Sequence, residues 1–101
     1  MAKPVRAKKQ RIPHLQATAN QQDPLVWLRF FTPWARWEWY VIEFDGNDTC
    51  FGYVRGVGAE CCCFRLSQLR EGRTYGGPWI EQDTLFRPTR LSEVVRHAQV
   101  T

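Results

Sequence analysis

A chain of 101 residues, 44% hydrophobic and 24% charged, has the balance of one soluble globular domain, since two domains would each be too small to hold a core. No apolar run is long enough to span a bilayer, and the basic first twelve residues lack the apolar stretch of a secretory signal. The formal charge of +4 is carried by Lys3, Arg6, Lys8, Lys9 and Arg11, because from residue 13 onward nine arginines and ten acids leave −1.

In chain order, residues 1–24 read as a basic and polar N-terminal arm, extended or irregular, punctuated by Pro4, Pro13 and Pro24. Residues 25–101 read as a single α+β domain. Leu25 to Phe31 is dense in apolar and aromatic residues and suits a first strand, closed by Thr32-Pro33. Trp37 to Phe44 combines Trp, Tyr, Val, Ile and Phe, all strand formers. Asp45-Gly46-Asn47-Asp48 signals a hairpin whose return strand is Thr49 to Arg55. Gly56 to Ala59 turns again into a strand from Glu60 to Leu66. Ser67 can cap a short helix reaching Glu71, and Gly72 stops it. Arg73 to Pro78 is a Gly/Pro loop, Trp79 to Phe86 holds a further strand, and Thr89 or Ser92 opens a final helix ending near His97. The predicted architecture is an antiparallel β-meander with one or two short helices packed on one face.

A symmetric Asp45–Asp48 loop sets Tyr40 against Tyr53, Ile42 against Phe51 and Glu38 against Arg55. A symmetric Gly56–Ala59 loop sets Arg55 against Glu60, Tyr53 against Cys62 and Phe51 against Phe64. One face is then almost wholly apolar, and Glu38, Arg55 and Glu60 form a charge row of opposite neighbours. The other face carries Trp37, Trp39, Val41, Gly52, Cys61, Cys63 and Arg65, with Gly52 leaving room for the Trp39 ring. Either the Leu25–Phe31 segment or the loop around Trp34 covers this face, or it recognises a protein through Trp34, Trp37, Trp39 and Arg65, residue types favoured at binding hot spots.

The four cysteines, Cys50 and the consecutive Cys61, Cys62 and Cys63, match neither a disulfide framework nor a zinc pattern. They read as buried filler in a reduced, cytoplasmic protein, with Cys62 on the core side. The rival is a soft-metal or thiol site. No nucleophile, phosphate or dinucleotide motif occurs, so neither a catalytic residue, a metal nor a cofactor is expected. The carboxylate pairs Glu43/Asp45 and Glu81/Asp83 are the one opening for acid/base or metal chemistry; solvated strand ends are the plainer reading.

A sequence of motifs goes further. Ile12-Pro13-x-Leu15, Phe30-Phe31-Thr32-Pro33, Trp37-x-Trp39-Tyr40-x-x-Glu43-Phe44-Asp45-Gly46, Phe51-Gly52, Phe64-x-Leu66-Ser67-x-Leu69, Glu81-x-Asp83 and Pro88-Thr89-x-Leu91-Ser92-Glu93 together resemble a bacterial family catalogued as domain of unknown function 2958. The resemblance runs from about Ile12 to Val95. It implies a small accessory protein of a plasmid, phage or integrative element, with no established reaction. Cys61-Cys62-Cys63 stands where that family tends to have an aliphatic residue, Gly and an aromatic. Lys3 to Arg11 falls outside the resembling stretch and reads as a local addition.

Three readings of function follow. The first is a non-enzymatic binding module whose basic arm (Lys3, Arg6, Lys8, Lys9, Arg11) holds DNA, RNA or a nucleoprotein while the domain contacts a protein. The second is an inhibitor of host defence, antirestriction or anti-CRISPR in kind, acting by protein binding. The third is a carboxylate- or metal-dependent enzyme. None involves a membrane.

Overall fold

The computed structural model describes residues 12–33, 36–71 and 80–100. Trp34, the basic residues Lys3 to Arg11, the Arg73–Pro78 loop and Trp79 lie outside the described residues.

Among the described residues, seven strands and two helices follow one another: β1 (Leu25–Val26), β2 (Leu28–Phe31), β3 (Glu38–Phe44), β4 (Thr49–Arg55), β5 (Ala59–Arg65), α1 (Leu66–Glu71), β6 (Glu81–Gln82), β7 (Thr89–Arg90) and α2 (Leu91–Val100). The main sheet is antiparallel with strand order β5-β4-β3-β2-β6, and β1 pairs separately with β7. The fold is α+β, and its core is the expected meander. The single strand expected over Leu25–Phe31 breaks at Trp27, whose N–H still reaches the Val41 carbonyl at 2.7 Å. Its first half leaves the sheet to pair with β7. The strand expected over Trp79–Phe86 is the two-residue β6.

The first hairpin pairs Glu38 with Arg55 and Tyr40 with Tyr53 as expected, then shifts by one residue. A bulge between Val41 and Glu43 sets Glu43, not Ile42, against Phe51. Adding a residue turns both Ile42 and Glu43 toward the Tyr40 face. Gly52 sits beside this bulge, and a Cβ there would lie 1.8 Å from the Tyr40 carbonyl oxygen. Glycine is required by close backbone approach, not to make room for the Trp39 ring.

The second hairpin is displaced throughout. Its turn is the three-residue Gly56-Val57-Gly58, so Arg55 pairs with Ala59, Tyr53 with Cys61, Phe51 with Cys63 and Cys50 with Phe64. A slip of one residue exchanges every face on β5. Phe64 and Cys62 join the Trp39 face, whereas Cys61, Cys63 and Arg65 stand on the Tyr40 face. Glu60 opposes Val54, so the expected charge row ends at Glu38–Arg55.

Each face has its own core and its own helix. On one, Phe30, Trp39, Val41, Cys50 and Phe64 are covered by Ile12 and by Leu66 and Leu69 of α1. Leu28 and Phe30, expected as a cover, are instead β2 neighbours of Val41 and Trp39 within the sheet. On the other, Tyr40 and Ile42 pack with Val26 of β1 and Val94 of α2, flanked by Phe51, Tyr53, Phe86 and Leu91. Pairing of β1 with β7 is what brings α2 across this face.

The two helices are anchored alike. At α1, Asp48 accepts from the Ser67 N–H at 2.8 Å and the Ser67 hydroxyl at 2.7 Å, and its carbonyl accepts from Leu66 N–H. At α2, Asp23 accepts from the Ser92 N–H and hydroxyl, both at 2.7 Å, and the Pro24 carbonyl accepts from Leu91 N–H. The serines expected to cap are thus first-turn residues, and aspartates from other segments satisfy the open N–H groups.

Residues 12–24, expected as part of an arm, are irregular but packed. Ile12 is buried, and the Pro13 carbonyl accepts from Phe44 N–H at the end of β3 that β2 leaves unpaired. Glu43 is buried and accepts from the Gln16 and Thr18 N–H groups and the Thr18 hydroxyl. The folded region therefore starts at Ile12 among the described residues, not at Leu25.

Candidate functional site

Arg29 is the one charged residue inside β2, and alternation places it on the Tyr40 face opposite Tyr40 itself. Its guanidinium joins three elements. It contacts Glu38 of β3 at 2.7 Å and Asp83, just after β6, at 3.0 Å, and its Nε donates to the Tyr40 hydroxyl at 3.3 Å. It also lies 4.6 Å from the centre of the Phe31 ring, within the range of a cation–π contact. Glu38 is shared with Arg55, at 3.5 Å. Burial pulls the Arg29 pKa down, but the bonds to Glu38 and Tyr40 more than reverse this and hold the charge. Burial likewise raises the Tyr40 phenol.

Two clefts open on either side of this hub, and Arg29 and Glu38 line both. The first, about 520 Å³, lies under α2 and adds Tyr40, Asp83, Phe86, Glu93 and His97. Its carboxylates outnumber its arginines. The second, about 470 Å³, is formed with the β2–β3 turn and adds Phe31, Arg36, Trp37, Arg55 and Gly56. Here three guanidiniums face one carboxylate beside two aromatic rings. The turn is held by Thr32, whose hydroxyl accepts from Trp37 N–H at 2.8 Å and whose own N–H donates to the Trp37 carbonyl.

Among the described residues of the expected protein-binding surface, Trp37, Trp39 and Arg65 do not share one exposed face. Trp39 is fully buried, because Ile12 and α1 cover the face that the sequence left open. Trp37 is half-buried, stacked on Trp39 with centroids 5.9 Å apart, and its ring occupies the space a Gly56 side chain would fill. Arg65 is exposed on the opposite face, displaced by the β5 register. Trp34 and the five arm residues lie outside the described residues.

Nor do the carboxylate pairs converge. Burial raises the Glu43 carboxyl, yet the Thr18 hydroxyl and the Gln16 and Thr18 N–H groups outweigh it and leave the pKa lowered. Asp45 accepts from the Asn47, Asp48 and Thr49 N–H groups inside its own loop. Asp83 is spent on Arg29, while Glu81 is exposed on β6. Among the described residues, no three His, Cys, Asp or Glu side chains are grouped to share a metal ion. The Arg29 hub was missed because Glu38 was assigned to Arg55 alone; an arginine within an otherwise apolar strand was the available signal.

The family model described as "Protein of unknown function (DUF2958)" matches residues 3–101. The chain belongs to that family. The match includes Lys3 to Arg11, so the basic stretch of this DUF2958 protein is not the local addition the resembling motifs suggested. Comparison with curated proteins and with solved structures returns no match. Among the described residues of the DUF2958 chain, no helix is long and apolar enough to cross a membrane.

Proposed function

We propose that this DUF2958 protein is a non-enzymatic binding protein for nucleic acid or nucleoprotein, serving as an accessory factor of a mobile element. The observation that carries this reading is the cleft in which Arg29, Arg36 and Arg55 face Glu38 beside Trp37 and Phe31. Guanidiniums neutralise phosphates and stack on bases, and an adjoining aromatic wall tolerates any base. The stretch Lys3, Arg6, Lys8, Lys9 and Arg11 adds a sequence-independent electrostatic grip. A salt titration of binding to single- and double-stranded DNA and RNA tests it. The full chain should give a log–log slope of up to about −4 to −5 on duplex DNA, from five basic residues at about 0.9 each. Deleting residues 1–11 should flatten that slope, and Arg36→Ala should weaken the remaining binding. Equal affinity of the full chain, the deletion and Arg36→Ala at one salt concentration would refute the reading.

The cleft beneath α2 favours a second reading, capture of a protein's basic side chain, as an inhibitor of host defence would use. Glu38, Asp83 and Glu93 line it against Arg29. Glu93→Lys should abolish capture of such a partner and leave nucleic-acid affinity unchanged or raised.

A further inference from the structure

The displaced register of β5 has a chemical outcome. Cys61 and Cys63 are both exposed and both stand on the Tyr40 face, opposite Tyr53 and Phe51. They line one groove of about 510 Å³, walled by Leu15, Ala19, Ile42 and Phe51. Cys62 projects to the other face, opposite Gly52, and Cys50 is fully buried. Arg65 continues the Cys61, Cys63 row one strand repeat further along.

Alternate residues of one extended strand have Cα atoms about 6.6 Å apart, from a rise of about 3.3 Å per residue. Their side chains run parallel, so the Cβ atoms are far beyond the roughly 3.5–4.5 Å that a disulfide needs. The pair therefore resists closing on itself. Two thiolates in line on one ion, at about the 2.3 Å of a zinc–thiolate bond, stand about 4.6 Å apart, a gap that rotation about χ1 can span. Thiolates select soft ions over hard ones.

We propose that Cys61 and Cys63 form a two-thiolate site for a soft monovalent d¹⁰ cation. Binding releases one proton from each thiol, forms two metal–sulfur bonds and changes no oxidation state. The bis-thiolate complex carries one net negative charge, and Arg65 is the next residue on the same strand face. Each thiol must give up its proton to bind, so affinity rises with pH.

The test is anaerobic titration of the full chain with Cu(I) against a chromogenic Cu(I) chelator. One ion per monomeric chain is expected. Cys61→Ser and Cys63→Ser should each weaken binding by about 10–100-fold or more, the loss that even an outer-shell partner can cause, while Cys62→Ser binds as the parent does. Circular dichroism establishes that each variant is folded. One equivalent of phenylarsine oxide, which condenses with two thiols and releases water, should remove two titratable thiols from the monomer in the parent and in Cys62→Ser. Half an ion per chain with dimer formation would overturn the proposal, as would unchanged affinity in Cys61→Ser or Cys63→Ser, or failure of the arsenical to take both thiols.

Discussion

The two faces of the sheet are built to opposite specifications. The Trp39 face is sealed by Ile12 and α1 around an apolar set, whereas the Tyr40 face mixes rings with Arg29, Glu38, Asp83 and Glu43 and retains clefts. Apolar burial is non-directional and tolerates approximate fit, while a partly buried charge is stable only beside its partners. One face is therefore closed by apolar packing alone, while the other combines a smaller core with the charged groups. The bulge at Val41/Glu43 joins them, since it gives the second face two consecutive residues and takes none from the first.

Breaking that junction should have the largest effect. Gly52→Ala sets a Cβ against the Tyr40 backbone, which cannot rotate away, and the loss should reach about 4 kcal/mol or more by denaturant unfolding. Trp39→Ala empties the sealed face and should cost about 3–5 kcal/mol. Tyr40→Phe on the other face removes only a hydroxyl bonded to Arg29 and should cost about 1 kcal/mol. A Tyr40→Phe loss equal to that of Trp39→Ala would erase the contrast.

Glu43→Gln sharpens the comparison through pH. The Glu43 carboxyl titrates below its ordinary value of 4.5 when folded. Its tie to Gln16 and Thr18 is thus fully present above that value and is lost as pH falls through the folded pKa. The substitution should cost about 2 kcal/mol at pH 7 and reduce the dependence of stability on pH below 4.5. Asp48→Ala should cost about 1 kcal/mol, and Asp23→Ala, the matching cap on the other face, should likewise destabilise its helix. Both losses are expected because the two anchors share one geometry. Val57→Ser at the 98% exposed hairpin tip should change stability by less than about 0.5 kcal/mol.

The sequence carried the first hairpin as far as Gly52, because alternating large and charged residues on β3 admit one register. It failed where that alternation is silent. Cys61, Cys62 and Cys63 have the same size and polarity, so either register of β5 puts the same residue type on each face, and only the turn length decides. Residues 12–24 looked like an arm because their composition is polar. Their packing depends on Glu43, some 25 residues away, which no local pattern reveals. The Arg29 hub was hidden for a related reason: its partners, Glu38 and Asp83, lie 9 and 54 positions away.

The paired Asp–Ser anchors also set an order of events during folding. The α1 anchor joins positions 19 apart and the α2 anchor positions 69 apart. Loop-closure entropy grows with separation, and helices this short are marginal alone in water. An isolated peptide of residues 91–100 should be largely non-helical, and α2 should gain protection against amide exchange only after β1 and β7 have met. The Tyr40 face is then the later to close, so a nascent chain presents the Arg29 cluster before the helix covers it.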